Sequence, residues 1–169
     1  MILAPISNLL KHDAIIFASD YGRKAVTSSW TVRLNNQIKQ LDQVKEFQNI
    51  NLTTGRDSLL VDDDLDCEEA NLLADDILTN TEMKFGRAST PKAHRIYKVI
   101  DLHKNHTRKY FSFKGTKKSV IAEMRANKHY TVCWGQYDDG EKVVWSDYGM
   151  PTEITWDTLH KENTLLAIA

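Results

Sequence analysis

The sequence predicts an α+β fold in which strands pair mostly antiparallel and helices flank them. Three observations carry that expectation. Residues 95–100 and 130–134 alternate apolar and polar side chains at a period of two, the mark of half-buried strands. Asp138-Asp139-Gly140-Glu141 sets turn-forming residues between 130–134 and 142–145, so that pair reads as a hairpin. Residues 68–78 and 154–166 instead place their apolar groups at helical spacing. With 169 residues, 41% hydrophobic and 27% charged, the chain has the size and composition of one domain, residues 1–169.

Taken along the chain, residues 1–11 predict a short helix with Asn8, Lys11 and His12 outward. Residues 14–18 read as a buried strand ended by the turn cluster Ser19-Asp20-Tyr21-Gly22. Arg23-Lys24 and a Ser/Thr-rich loop closing on Trp30 follow. Leu34, Ile38, Leu41, Val44 and Phe47 then recur at roughly helical spacing, which predicts a helix packed on the sheet. Residues 49–54 alternate and meet the turn Gly55-Arg56-Asp57-Ser58, a hairpin in outline with the next strand.

That strand is Leu59-Leu60-Val61-Asp62-Asp63-Asp64-Leu65-Asp66, and Cys67 joins it to a helix. Glu68 and Glu69 fall in the helix's first turn, where the dipole favours negative charge. Leu72, Leu73, Ile77 and Leu78 form its apolar face. Beyond it come a Gly/Ser/Thr/Pro loop from Gly86 to His94, the strand 95–100, and strands at 110–113 and 119–125. The hairpin follows, then a terminal helix from Thr155 carrying Trp156, Leu159 and Leu165.

The acidic strand is the first functional signal. Strand alternation puts Asp62, Asp64 and Asp66 on one face. Carboxylates so crowded raise one another's pKa unless a cation lies between them, and a hard oxygen-seeking ion such as Mg2+ or Mn2+ meets that need. Charge is uneven along the chain although the net formal charge is only -1: residues 57–82 hold no Lys or Arg, whereas the basic residues from Lys84 to Lys128 meet only Asp101 and Glu123. An acidic cradle followed by a basic segment suits a polyphosphate or nucleic acid.

Arg87, Ser89, Lys92 and His94 are phosphate-compatible donors in one short stretch, and Gly86 permits close backbone approach. No Gly-x-x-x-x-Gly-Lys-Ser pattern is present, so a P-loop is unsupported. Glu123 interrupts an apolar strand. It either pairs with Arg125 or a nearby lysine at a surface or, if its strand adjoins Asp64 and Asp66, completes a three-carboxylate site for two divalent ions. Cys67 and Cys133 are the only cysteines and build no zinc motif, which fits a reducing, cytoplasmic compartment. No apolar run reaches the length of a membrane span, and no membrane partner is expected.

Asp64-Leu65-Asp66, then Gly86 to His94, then Glu123-Met124-Arg125 together resemble the bifunctional primase-polymerase domain of the archaeo-eukaryotic primase superfamily. That family shows an Asp-x-Asp or Asp-x-Glu pair, a Ser-x-His-type motif entering a strand, and a third strand-borne acid, in this order. Asn49 to Gly55 and Thr131 to Trp145 look like its flanking elements, so the resemblance covers nearly the whole chain. Lys92 stands where the family commonly has serine, and Trp134-Gly135-Gln136 where it often has Pro-Pro-Ser or Pro-Gly-Ser.

The resemblance implies a primase catalytic core with mixed or antiparallel sheets, one half RRM-like, flanked by helices. It implies a DNA primase or polymerase that joins dNTPs or NTPs on single-stranded DNA, with two Mg2+ or Mn2+ ions on Asp64, Asp66 and Glu123. His94, Lys92, Arg87 and Ser89 would contact the nucleotide, and Lys98, Lys104, Arg108, Lys109 and Lys114 the nucleic acid, with Tyr110, Phe111 and Phe113 as stacking partners. The chain would be the N-terminal part of a longer viral or plasmid replication protein, acting in a prokaryotic or infected host cell beside a helicase or accessory helical region. A non-catalytic nucleotide- or nucleic-acid-binding module and a metal-dependent nuclease are the alternatives.

Overall fold

The computed structural model describes residues 4–12, 14–20, 37–45, 48–55, 57–107, 109–112 and 119–169. In chain order its elements are α1 (Ala4–Lys11), β1 (Ile15–Asp20), β2 (Gln37–Ile38), a 3-10 turn (Leu41–Gln43), β3 (Gln48–Thr54), β4 (Leu60–Leu65), α2 (Glu68–Ile77), β5 (Met83–Arg87), β6 (Thr90–Val99), β7 (Lys109–Ser112), β8 (Val120–Arg125), β9 (His129–Trp134), β10 (Val143–Tyr148), β11 (Thr152–Ile154) and α3 (Trp156–Leu166). The fold is therefore α+β. The smaller sheet has the order β2-β1-β3-β9, and the larger β10-β5-β6-β4-β8-β7, with β11 added to β6. β11 runs parallel to β6, and the other ladders of both sheets are antiparallel.

β4 lies inside the larger sheet, between β6 and β8, and is covered on both faces. Val61 and Leu65 point into a core shared with Ala70, Ala74 and Leu78 at α2 and with Leu159 and Leu166 of α3. Leu60 points the other way, into a core with Ile16, Ile50 and Leu52 of the smaller sheet and Ile6 and Leu9 of α1. The layers are thus helices, larger sheet, and smaller sheet with α1. Among the described residues no helix is long and apolar enough to cross a membrane.

Several sequence expectations change here. The helix expected from Leu34 is absent over 37–45: Gln37–Ile38 pairs with Phe17 and Ile16 at the free edge of β1. The Gln43 side chain accepts from the backbone N–H groups of Lys39 (2.7 Å) and Gln40 (3.0 Å), holding a turn that competes with helix. On α2 the buried residues are Ala70 and Ala74, with Leu73 and Ile77 packed alongside, while Leu72 is 72% exposed because it lies a half-turn out of phase. On α3, Leu159, Asn163 and Leu166 face inward and Leu165 outward. Thr155 caps that helix, accepting from Thr158 N–H at 3.2 Å. Arg23, Lys24, Trp30, Phe47 and Phe113 lie outside the described residues.

Both expected hairpins prove to be crossings between sheets. β3 and β4 are joined through a single Gly55–Leu60 bridge and then part, and β9 and β10 through a Gln136–Lys142 bridge. At the second crossing Gly135 has φ +111°, and Asn49 clamps the turn by donating to the Gln136 carbonyl (2.9 Å) and accepting from its N–H (2.7 Å). A Cβ on Gly135 would come within 2.0 Å of Asn49 Oδ1. Strain and the lost clamp together make Gly135→Ala destabilising by ~2–4 kcal/mol, read as a lower urea midpoint at unchanged slope.

Candidate functional site

Register assembles the site across three strands. Asp62 and Asp64 are two apart on β4 and share a face. His94 of β6 sits opposite Asp64 on one side. On the other, Glu123 of β8 sits opposite Asp64 and Arg125 opposite Asp62. Asp66 follows the end of β4, its N–H still bonded to the Ile121 carbonyl at 2.9 Å. One oxygen each from Asp64, Asp66 and Glu123 lies within 4.8 Å of the others; Asp64 and Glu123 are buried and Asp66 is exposed. The structure thus joins acids that lie far apart in sequence.

Two protein cations flank these acids. His94 Nδ1 lies 3.2 and 3.1 Å from the oxygens of Asp62 and 3.3 Å from Asp64 Oδ1. Burial works to lower the His94 pKa, but Asp64 and Asp62 outweigh it and hold it above the ordinary histidine value. Burial likewise works to raise Asp62, and His94 and Arg125 overcome it, leaving this carboxyl below its usual range. Arg125 Nη2 pairs with Asp64 and lies 3.1 Å from Glu123 Oε2, while Nη1 is 3.6 Å from Asp62 Oδ2. Phe85 stacks on the His94 ring at 4.9 Å and is backed by Trp145, whose indole N–H donates to the Cys133 carbonyl at 2.7 Å. The imidazole is therefore fixed in orientation.

The cluster opens on a cleft of about 820 Å3 between the sheets. Asp64, Asp66, His94 and Arg125 line it from the larger sheet, Tyr130 and Thr131 from β9, and Arg87 and Tyr137 at the crossing. That volume accommodates a nucleotide-sized ligand. Arg87 lies 4.0 Å over the Tyr137 ring and pairs with Asp139 and, at 3.5 Å, Glu141. The donor set fits a hard divalent ion: three carboxylates and no thiolate.

The other expected contacts are placed differently. The stretch from Gly86 to His94 is not a loop but a hairpin of β5 and β6, with Ala88 and Ser89 in its turn. The space left by Gly86 is taken by the chain itself, since a Cβ there would meet the Thr90 carbonyl at 2.1 Å. The β5–β6 register slips between Phe85 and Arg87, and Lys92 turns to the helix side, 2.9 Å from Asp75 of α2. Ser89 N–H donates to Glu141 at 2.6 Å. Lys98 pairs with Glu153 at 2.9 Å, opposite Leu60 and away from His94 along β6. Lys104 and Lys109 are exposed and, like Lys98, do not line the cleft. Tyr110 is 37% exposed beside Glu123, whereas Phe111 belongs to the core. Arg108 and Lys114 lie outside the described residues.

Sequence reading put Asp62 on the crowded carboxylate face but not against His94, and gave Arg125 only a surface-pair role. Parity was the available signal, since Arg125 must share Glu123's face if their strand adjoins the acidic one. A scan against protein-family models and a search of the curated proteins each returned no match.

Asp63 faces the opposite, helix side of β4. It is fully buried, and the Asn163 side-chain amide of α3 donates to it at 2.9 Å. Arg95, opposite it on β6, is also fully buried and reaches Asp75 at 2.7 Å. Burial pushes the Asp63 carboxyl up to about 8, against the pull of the Asn163 hydrogen bond. The neutral acid thus belongs to the folded state, and its contribution is complete below the unfolded value of 3.8 and fades as pH rises to about 8. The loss over that window is up to ~6 kcal/mol. Asp63→Asn, which resembles the neutral acid, will flatten the decline and unfold at higher urea than the parent at pH 8.

Proposed function

We propose that this chain is a template-dependent nucleotidyltransferase, a DNA primase or polymerase that joins dNTPs or NTPs on single-stranded DNA. The observation that carries the reading is the convergence of Asp64, Asp66 and Glu123 beside His94: Asp64, Asp66 and His94 line a nucleotide-sized cleft, and Glu123 is buried against Asp64. Asp64, Asp66 and Glu123 would hold Mg2+ or Mn2+. Such ions, when bound, neutralise phosphate charge and stabilise the attacking and leaving oxygens of a phosphoryl displacement. The rest of the task falls to positioning and electrostatics, which this chain's own residues supply.

Asp62 helps hold the His94 pKa above its ordinary value and aims the ring at the cluster, and Phe85 fixes its plane. His94, Arg87 and Arg125 line the cleft as cationic donors for a triphosphate. Tyr137 offers an aromatic face that already carries Arg87. Tyr110, 37% exposed on the Glu123 side of β7, offers an aromatic face for a nucleic-acid strand.

The Arg125 pairs favour a second reading. A guanidinium shared by Asp64 and Glu123 offsets part of their charge without any metal, as suits a non-catalytic nucleotide- or nucleic-acid-binding module of a replication protein. Incorporation of labelled nucleotides on single-stranded DNA, with and without primer, in Mg2+ or Mn2+, separates the two. The intact chain extends a strand, and Asp64→Ala with Asp66→Ala lowers the rate at least ~100-fold, the loss of several kcal/mol of charge stabilisation. DNA or nucleotide binding without any synthesis establishes the module instead.

A further inference from the structure

Both oxygens of Asp64 are already engaged by protein cations. Oδ1 lies 3.3 Å from His94 Nδ1, and Oδ2 carries the Arg125 Nη2 pair. The same Nη2 holds Glu123 Oε2 at 3.1 Å. Two of the three acids that could hold a metal are thus bridged by one guanidinium, which stays charged at every accessible pH. A divalent ion on those oxygens would lie against that positive charge. Metal occupancy therefore requires one of the two protein cations to leave.

The surroundings say which one. The His94 ring is buried, stacked on Phe85 and tied to both oxygens of Asp62. Arg125 has a longer side chain with more rotatable bonds; it is 19% exposed, lines the cleft, and has an Nε with no hydrogen-bond partner. Its link to Asp62 is long, at 3.6 Å. Arg125 is the member of the cluster that can move.

We propose that Arg125 is an exchangeable counter-ion: it bridges Asp64 and Glu123 in the metal-free protein, yields those oxygens to a divalent cation, and then offers its guanidinium to a phosphate in the cleft. The inference rests on the metal-site part of the proposed function. Cation and phosphate binding are coupled as a result, because loading the cation uncovers an anion contact. The planar fork that bridges two carboxylates serves a phosphate equally well once released.

The test is Mn2+ binding measured by titration calorimetry without nucleotide, on the full chain, Arg125→Gln and Asp66→Asn. With its competitor gone, Arg125→Gln binds Mn2+ about tenfold or more tightly than the parent, equivalent to ~1.4 kcal/mol. A second measurement needs no variant: modification of the parent chain by phenylglyoxal, mapped by mass spectrometry. Arg125 reacts slowly without metal, faster at saturating Mn2+, and slowly again when tripolyphosphate is added. Mn2+ binding that Asp66→Asn weakens, but that Arg125→Gln leaves unchanged, with Arg125 equally protected throughout, overturns the exchange and leaves the metal site standing. No Mn2+ binding by either the parent or Arg125→Gln removes the metal site and the exchange together.

Discussion

Carboxylate charge concentrated on one face of β4 has to be balanced inside the sheet itself, and the site depends on how that is done. Two unit charges 4 Å apart interact by about 4 kcal/mol at an effective dielectric of about 20. A few such repulsions, left uncompensated, would rival the ~5–15 kcal/mol by which a domain is stable. β4 can carry the load because it has a neighbour on each side. β6 supplies His94 and β8 supplies Arg125, each two to four ångströms from its acids. An edge strand could have been balanced from one side only.

The acids differ in how far they are covered: Asp64 and Asp66 line the cleft, while Glu123 is buried against Asp64. Burial is what makes this chemically useful. Asp62, with no exposure, serves to orient His94 and raise its pKa, whereas Asp66 is exposed and lines the cleft. The four acids of one short run thus have separate environments, with Asp63 turned to the helices and driven toward its neutral form.

The cleft exists because the chain passes from one sheet to the other at several tight points. Gly55 and Gly135 take positive φ at two of them, and the Asn49 side chain locks the second. These crossings place β9 over the carboxylate face, so Thr131 comes to 3.4 Å from His94 Nδ1. A site built on paired strands and clamped turns is held more rigidly than one built on free loops, which suits chemistry that relies on positioning.

Local pattern was enough to determine part of this. The alternation of Asp62, Asp64 and Asp66, the helix after Cys67, the strand status of Glu123 and the α+β class all follow from side-chain periodicity, which is a property of neighbouring residues. What local pattern could not determine was which segments meet. Turn residues such as Asp138 to Glu141 report that the chain reverses, but the two strands they join enter different sheets, and that depends on what each buries. The apolar spacing around Ile38 suits a helix, yet the open edge of β1 claims it as strand. Gly86 reads as room for a phosphate and is filled by the Thr90 carbonyl, and Lys92, assigned to the same phosphate, is drawn to Asp75 by a slip in register. Arg125 is the plainest case: its charge is written in the sequence, but its hold on Asp64 arises only when β8 pairs with β4, because that contact spans chain-distant residues and is set by register, not composition.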